Sequence, residues 1–165
     1  MSAAEVAPGQ GTVHGTFTVS ATYEAPPERV FAAFADEQLR RKWFRLPGES
    51  GGGHHELDFR VGGTEVARST FAVADVTEHL EYRSRFIDIV PGERIVLSYE
   101  FLLDAVRRWV SLVTVELTPA PTGTLLTWTE QYTYLVLTAD GNDTAHLQGG
   151  TRLLLNGLPR ALDPI

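Results

Sequence analysis

The sequence predicts an α+β fold: a curved antiparallel sheet of six or seven strands around a long C-terminal helix, with two short helices after the first strand. Three observations predict it. Apolar and polar residues alternate with a period of two through most of residues 55–134, which is typical of strands with one buried face. Two short stretches after the first strand, and one long stretch near the C-terminus, instead repeat their apolar residues every three or four positions. The apolar face of a sheet has to be covered, and the last helix is the element long enough to cover it.

The first strand shows the period of two most clearly, since apolar side chains alternate there with threonine and serine: Phe17, Val19, Ala21 and Tyr23. A proline pair ends this strand, and residues 27–35 are predicted to form an amphipathic helix with Pro27 in its first turn. Asp36 is placed to cap a second short helix, which carries Leu39, Trp43 and Phe44.

Turns rich in glycine, proline and aspartate separate the later strands, at residues 61–64, at 91–93, between Asp104 and Arg107, and at 119–123. The spacing between turns predicts a meander of long antiparallel strands. Alternation places several polar side chains among the inward aromatic ones, namely Ser84 after Tyr82, Ser111 after Trp109, and Glu130 after Trp128.

The final helix is predicted to span residues 144–158, with Asp143 or Thr144 as its cap and Pro159 near its end. Its buried stripe is expected to consist of Leu147, Thr151, Leu154, Leu158 and Ala161. Residues 1–11 read as a flexible tail, and residues 12–165 as a single domain.

Composition excludes several classes of function. The net charge of -7 and the absence of a basic stripe argue against nucleic acid as a partner. The local cluster Arg40, Arg41, Lys42 and Arg45 is interpreted as the solvated face of a short helix. No cysteine is present, no uninterrupted apolar stretch approaches about 18 residues, and no signal peptide is recognisable, so a cytoplasmic location without a membrane span is expected.

Six local strings in the expected order resemble the START-like (SRPBCC) superfamily, and within it the branch of the C-terminal domain of the activator of heat-shock protein 90 ATPase. The strings are APPERVF (25–31), LRRKWF (39–44), DFRVGG (58–63), PGERIV (91–96), VTVELT (113–118) and GTLLTWTE (123–130). The resemblance covers about residues 13–162. It implies the helix-grip fold and an internal hydrophobic cavity between the sheet and the C-terminal helix for lipid-like or aromatic ligands.

Thirteen residues are the candidates for contact with such a ligand. Most are inward aromatic residues, which supply the apolar walls that small-molecule pockets need. The set is Trp43, Phe59, Phe71, Phe86, Tyr99, Phe101, Trp109, Trp128, Glu130, Tyr132, His146, Gly150 and Leu154. Plain core packing is the alternative for each aromatic residue, and close helix packing is the alternative for Gly150.

Glu130 is the one weak catalytic candidate. An inward carboxylate among aromatic residues would be desolvated, which raises its pKa and suits general acid–base chemistry. The alternative is a carboxylate at the solvent rim or paired with an arginine. His146 is expected near the mouth of the cavity. The adjacent pair His54 and His55 points to opposite faces of a strand, so solvated imidazoles are expected there rather than a metal site.

The sequence favours reversible binding of a small hydrophobic ligand, with no cofactor. Loops at 47–54 and 138–145 are expected to gate entry. An enzyme of the polyketide cyclase, dehydratase or hydrolase type acting in the same cavity is the first alternative. A co-chaperone-like interaction module is the second, although the extra N-terminal domain of the eukaryotic co-chaperones has no counterpart here, so a chaperone partner is not expected. A homodimer through an edge strand or the last helix stays open.

Overall fold

The structure is a computed structural model that describes residues 11–46, 53–138 and 141–162. Most of the predicted N-terminal tail, most of the loop at 47–54, and two residues of the loop at 138–145 lie outside the described residues. The gating role predicted for these loops therefore stays a prediction.

The described residues form one curved sheet of seven antiparallel strands. The strands are β1 (Val13–Tyr23), β2 (His54–Leu57), β3 (Thr64–Val73), β4 (Val76–Val90), β5 (Arg94–Leu103), β6 (Val106–Ala120) and β7 (Gly123–Tyr134). Their order across the sheet is β1-β7-β6-β5-β4-β3-β2. Strands β2 to β7 form the predicted meander, and β1 returns to pair with β7 along its whole length. The predicted helix-grip architecture is confirmed.

Two short helices, α1 (Pro27–Ala35) and α2 (Glu37–Trp43), follow β1 as predicted. Pro27 occupies the start of α1, where a missing N–H is harmless, and Glu28 lies in its first turn. Asp36 ends α1 and caps α2, because its Oδ1 accepts a hydrogen bond from the backbone N–H of Leu39 at 3.0 Å. This predicted cap is confirmed.

The C-terminal helix, α3 (Asp143–Gly157), continues into a short 3-10 turn (Leu158–Ala161). The capping role predicted for Asp143 or Thr144 is wrong. Asn142 is the N-cap residue, Asp143 Oδ2 accepts from the Thr138 N–H at 3.1 Å, and Thr144 hydrogen-bonds to Tyr132. Among the helices of the described residues, none is both long and apolar enough to cross a bilayer.

The buried stripe of α3 also differs from the prediction. Leu147, Thr151 and Leu155 are buried, whereas Leu154 is half-buried. The prediction is off by one residue because three consecutive leucines, at positions 153–155, leave the phase of the stripe undetermined. Tyr23 fixes that phase, since its hydroxyl donates to the backbone oxygen of Leu155 at 2.7 Å.

Turn chemistry sets the strand lengths. Asp104 and Ala105 both have positive φ, at 49° and 63°, so β5 and β6 are joined by a two-residue turn with the twist that favours hairpins. Between β2 and β3 the chain closes tightly at Gly62 and Gly63. Gly62 has a φ of 83°, and a Cβ on Gly63 would lie 2.1 Å from the Asp58 oxygen.

Candidate functional site

A row of polar side chains crosses the concave face of the sheet. Paired residues in antiparallel strands point to the same face, and the observed register pairs five such residues in succession. From β3 to β7 they are Glu65, Ser84, Tyr99, Ser111 and Tyr132. Four strand spacings of about 4.8 Å give the row a length of roughly 19 Å.

The first polar cluster surrounds Glu130 on β7, and we call Tyr99, Ser111, Trp128 and Glu130 the Glu130 cluster. The Glu130 side chain is fully buried, with 0% exposure. Its Oε2 accepts hydrogen bonds from the Tyr99 hydroxyl and the Ser111 hydroxyl, both at 2.6 Å. Its Oε1 accepts from the indole Nε1–H of Trp128 at 3.0 Å. The alternative of a solvent-rim or arginine-paired carboxylate does not hold for Glu130.

Two effects act on the acidity of Glu130 in opposite directions. Burial raises its pKa because the charged form is desolvated, while the donors Ser111, Tyr99 and Trp128 lower it. The net pKa lies above the ordinary value for glutamate. Tyr99 is tied into the same cluster, since its oxygen also accepts from Trp109 Nε1–H at 3.1 Å. Burial and the neighbouring Glu130 raise the pKa of the Tyr99 hydroxyl, so it stays a donor.

The second polar cluster, which we call the Arg40 cluster, consists of Arg40, His55, Glu65 and Ser84. Arg40 Nε and Nη2 donate to the two carboxylate oxygens of Glu65, both at 2.9 Å. Arg40 is 3% exposed. The interpretation of Arg40 as part of a solvated helix face is therefore wrong: α2 turns this residue toward the sheet, where the fully buried Glu65 compensates its charge.

Aromatic rings surround the Arg40 guanidinium. Its central carbon lies 4.0 Å from the ring centroid of Phe44 and 4.6 Å from that of Trp43. Desolvation raises the pKa of Glu65, but Arg40 and His55 outweigh it, so the net pKa is lowered. The buried pair is thus ionised and stacked on aromatic faces.

His55 completes the Arg40 cluster. Arg41 Nε donates to His55 Nδ1 at 3.1 Å, which assigns the imidazole proton to Nε2. That Nε2 lies 2.8 Å from Glu65 Oε2 and donates to it. The prediction of a solvated imidazole at this position is wrong for His55, because the inward face of β2 is covered by α2, whereas His54 is exposed as predicted.

Two buried polar atoms of the Arg40 cluster have no hydrogen-bond partner within the described part of the chain: Arg40 Nη1 and Ser84 Oγ. Burial and the Glu65 carboxylate raise the pKa of the neighbouring Tyr82 hydroxyl, whereas Arg40 and Ser84 lower it. An unsatisfied buried donor is costly, so these two atoms are unusual for the interior of a protein.

An aromatic surface joins the two clusters. The ring centroids of Tyr82 and Tyr99 are 4.9 Å apart, and those of Phe101 and Trp109 are stacked at 4.4 Å. Tyr99, Phe101 and Trp109 are only half-buried. Among the strands, helix α3 contacts mainly β1, the edge strand that lies two strands away from β6. The half-buried rings on β5 and β6 therefore form an aromatic opening to the concave face.

Tyr132 fixes the start of α3 over β7. Its hydroxyl shares a hydrogen bond with Thr144 Oγ1 at 2.7 Å, and the Tyr134 hydroxyl donates to the Asp143 oxygen at 3.1 Å. Gly15 on β1 makes room for the Tyr132 ring, because a Cβ there would lie 2.7 Å from the Tyr132 hydroxyl oxygen.

The predicted ligand-contacting residues separate into three groups. Four residues face the centre of the concave face: Tyr99, Phe101, Trp109 and Glu130. Phe71 lies further out, on β3, and is half-buried. The core takes the side chains of Trp43, Phe86, Trp128 and Tyr132, with Phe59 against Phe31 and Phe86. The last group lies on α3, where His146 and Gly150 are exposed and Leu154 is half-buried.

Ligand contact by the exposed His146 and Gly150 stays a prediction. A Cβ on Gly150 would meet no atom within 4 Å, so close packing does not explain this glycine. The residues that sequence reasoning missed are Arg40, His55 and Glu65. Glu65 lies two residues before the inward Ala67 on β3, so the alternation of the strand was the available signal that Glu65 faces inward.

Two grooves lie on the opposite, outer face of the sheet. One has a volume of about 550 Å³ and is lined mostly by outward residues of β4 to β7, such as Arg83, Glu100 and Leu112. Parts of Ser84, Tyr99 and Ser111 also border this groove. The other lies near Arg68 and Asp104. Neither lies between the sheet and α3, where the sequence predicts the cavity.

Comparisons with known proteins place the fold in a family. The family model described as "Activator of Hsp90 ATPase homolog 1-like protein" matches residues 24–163. The Mll3558 protein from Rhizobium loti is 42% identical, with a TM-score of 0.77 over 92% of this chain and 99% of that chain. A protein from Rhizobium leguminosarum is 36% identical, with a TM-score of 0.79 over 92% and 96% of the two chains.

An AHSA1-like protein from Aeromonas hydrophila shares the fold, with 18% identity and a TM-score of 0.60 over 90% of this chain and 92% of that chain. Among curated proteins, none matches this chain. The matched segment spans both polar clusters and the aromatic opening, so the chain belongs to the family of Activator of Hsp90 ATPase homolog 1-like proteins, within the START-like superfamily.

Proposed function

We propose that the protein binds a small hydrophobic, aromatic or lipid-like ligand on the concave face, between the half-buried rings of β5 and β6 and helix α3. The observation that carries the proposal is the aromatic opening, formed by Tyr99, Phe101 and Trp109, directly beside the Glu130 cluster. The family supports it, since START-like proteins generally bind hydrophobic ligands. Binding of such a metabolite in the cytoplasm is part of the proposal.

Desolvation would drive binding. Apolar contact of about 200 Å² contributes roughly 5 kcal/mol at about 25 cal/mol per Å², before the entropy of association is subtracted. The half-buried rings retain area that a ligand can cover, whereas Phe86 and Trp128 are already enclosed by the core. The Tyr99 hydroxyl, fixed between Glu130 and Trp109, gives the wall a polar point that orients the ligand.

The first experiment is native mass spectrometry of the purified protein, followed by a thermal-shift screen of lipids, polyketides and aromatic acids. We expect a co-purified small molecule or a hit that raises Tm. Phe101→Ala should weaken binding of that ligand about tenfold, because roughly 55 Å² of ring contact is lost.

Leu112→Ala is the matched control, since it removes an exposed side chain from the outer face of β6. Equal weakening by Phe101→Ala and Leu112→Ala, or weakening by Leu112→Ala alone, would place the ligand on the outer face and end the proposal.

A second candidate function is acid–base catalysis in the same place, favoured by the raised pKa of the buried Glu130 and its hydrogen bond to Tyr99. A protonated Glu130 or the Tyr99 hydroxyl would supply a proton to a bound carbonyl. The test compares turnover of the identified ligand by the wild type and by Glu130→Gln. Unchanged ligand after long incubation with the wild type rejects catalysis and leaves binding in place.

A further inference from the structure

We propose that the Arg40 cluster is a second polar subsite, which accepts a neutral oxygen, a carbonyl or a phenolic hydroxyl, carried on an aromatic ring of the ligand. This inference rests on the proposed function and names the class of ligand that the concave face takes. It assigns a role to groups at the β3–β4 side of the face, beyond the aromatic opening.

The unpartnered atoms point to a missing hydrogen-bonding group. Arg40 Nη1 and Ser84 Oγ are buried without a partner, although they come from different elements, α2 and β4. Both flank the same carboxylate: Arg40 binds Glu65 directly, and Ser84 is its paired neighbour in the sheet. Buried polar groups are normally satisfied, so two orphans around one carboxylate indicate a site that is completed by something else.

The charges around these atoms select a neutral oxygen. The positive charge of Arg40 is already compensated by the two-point contact with Glu65. His55 Nδ1 accepts from Arg41 and its Nε2 is directed at Glu65, so both ring nitrogens are already engaged. An added carboxylate would meet the Glu65 carboxylate without a free counter-charge. A carbonyl oxygen instead accepts from Arg40 Nη1 and from the Ser84 hydroxyl, and a phenol can in addition donate to Ser84 Oγ.

The surrounding side chains select an aromatic carrier for that oxygen. The Phe44 ring centroid lies 4.0 Å from the Arg40 guanidinium carbon and 4.9 Å from the Tyr82 ring centroid. Tyr82 in turn lies 4.9 Å from Tyr99. These rings form a continuous aromatic wall from the Arg40 cluster to the aromatic opening, and flat rings pack on such a wall in offset or edge-on contacts.

Phe44 provides the path to the unpartnered atoms. It is half-buried and follows the last residue of α2 as its C-cap. Rotation of this one ring away from Tyr82 would leave the Arg40–Glu65 pair intact, because the Phe44 side chain contacts Arg40, Tyr82 and His55 only through its ring.

A matched pair of probes tests the subsite: indane, a bicyclic hydrocarbon, and 1-indanone, which replaces one methylene by a carbonyl. We expect the wild type to bind 1-indanone about tenfold more tightly than indane in calorimetric titrations. The carbonyl stretch of bound 1-indanone should also move to lower frequency in the infrared spectrum, as for a carbonyl that accepts a charge-assisted hydrogen bond.

Ser84→Ala should reduce the preference for 1-indanone and reverse part of the infrared shift, while indane binds as before. This variant removes an unsatisfied hydroxyl, so the free protein keeps its fold. Arg40→Lys keeps the charge beside Glu65 but loses Nη1, and should act in the same direction. Ser98→Ala, on the neighbouring strand but turned toward the outer face, is the control that should leave both affinities unchanged.

Three outcomes separate the inference from the function on which it rests. A carbonyl preference that Ser84→Ala reduces supports the subsite. Equal affinity of the two probes, or a preference that neither Ser84→Ala nor Arg40→Lys reduces, overturns the subsite and leaves hydrophobic binding in place. If neither probe binds, the proposed function fails for this ligand class, and the subsite fails with it.

Discussion

Replacing Glu130 by glutamine should change how the stability of the protein depends on pH. Glu130 is fully buried, and its pKa is raised mainly by desolvation. Below the pKa of the unfolded chain, about 4.3 for a glutamate, the carboxyl group is protonated in both states. As the pH rises above that value the unfolded chain ionises first, so the folded state loses relative stability until the pH exceeds the raised pKa of the folded state.

The size of this loss follows from one proton. The difference in the free energy of unfolding, wild type minus Glu130→Gln, should fall with pH at a slope approaching about 1.4 kcal/mol per pH unit, and then level off. Urea unfolding at pH values from 4 to 9 gives both free energies. Other groups, including Glu65 with its lowered pKa, contribute equally to the two proteins and cancel.

Glu116→Gln, which removes an exposed carboxylate from β6, is the matched control. A difference curve for Glu130→Gln that stays constant or rises with pH would show that the three donors outweigh burial. The carboxylate would then be an ordinary ionised group, and its use as an acid would be ruled out.

Three further substitutions test the packing. Leu155→Ala should destabilise the protein by about 2–5 kcal/mol in urea unfolding, because this 1% exposed side chain anchors α3 in the core; a loss below about 1 kcal/mol would mean that α3 does not grip the sheet there. Glu65→Ala should cost about 3–5 kcal/mol, since it leaves the Arg40 charge buried alone, and the stability that Glu65 provides in the wild type should fade as the pH drops below about 4.3; a mild effect would mean that water reaches Arg40. Ala105→Gly should raise Tm by relieving a φ of 63°, with a gain of up to about 1 kcal/mol; a lower Tm would contradict the left-handed geometry of this turn.

Most of the fold could be predicted from the sequence because its signals are local. The alternation of Phe17, Val19 and Tyr23, the proline at the start of α1, and the Asp36 cap each act within a few residues. The phase of α3 could not be predicted, because consecutive leucines fit more than one stripe. A contact over 132 positions, from the Tyr23 hydroxyl to the Leu155 oxygen, decides it.

The candidate site divides in the same way. Alternation along β7 placed Glu130 beside Trp128 on the inward face, but its buried state depends on donors from β5 and β6. The Arg40 cluster could not be predicted from the sequence, because a run of basic residues on a short helix normally faces water. What buries Arg40 is the carboxylate of Glu65, 25 positions away on another element. Such a pair leaves no pattern in either segment alone.

Binding on the concave face can be observed directly through the three indole N–H groups of the chain. Trp109 Nε1 donates to the Tyr99 oxygen, Trp128 Nε1 to Glu130, and Trp43 Nε1 to the Ala33 oxygen. In a ¹⁵N–¹H spectrum, saturating indane should shift the Trp109 indole signal most, the Trp128 signal less, and the Trp43 signal least. Saturable binding in calorimetry with an unmoved Trp109 signal would place the ligand elsewhere, and hydrophobic binding on the concave face would have to be abandoned.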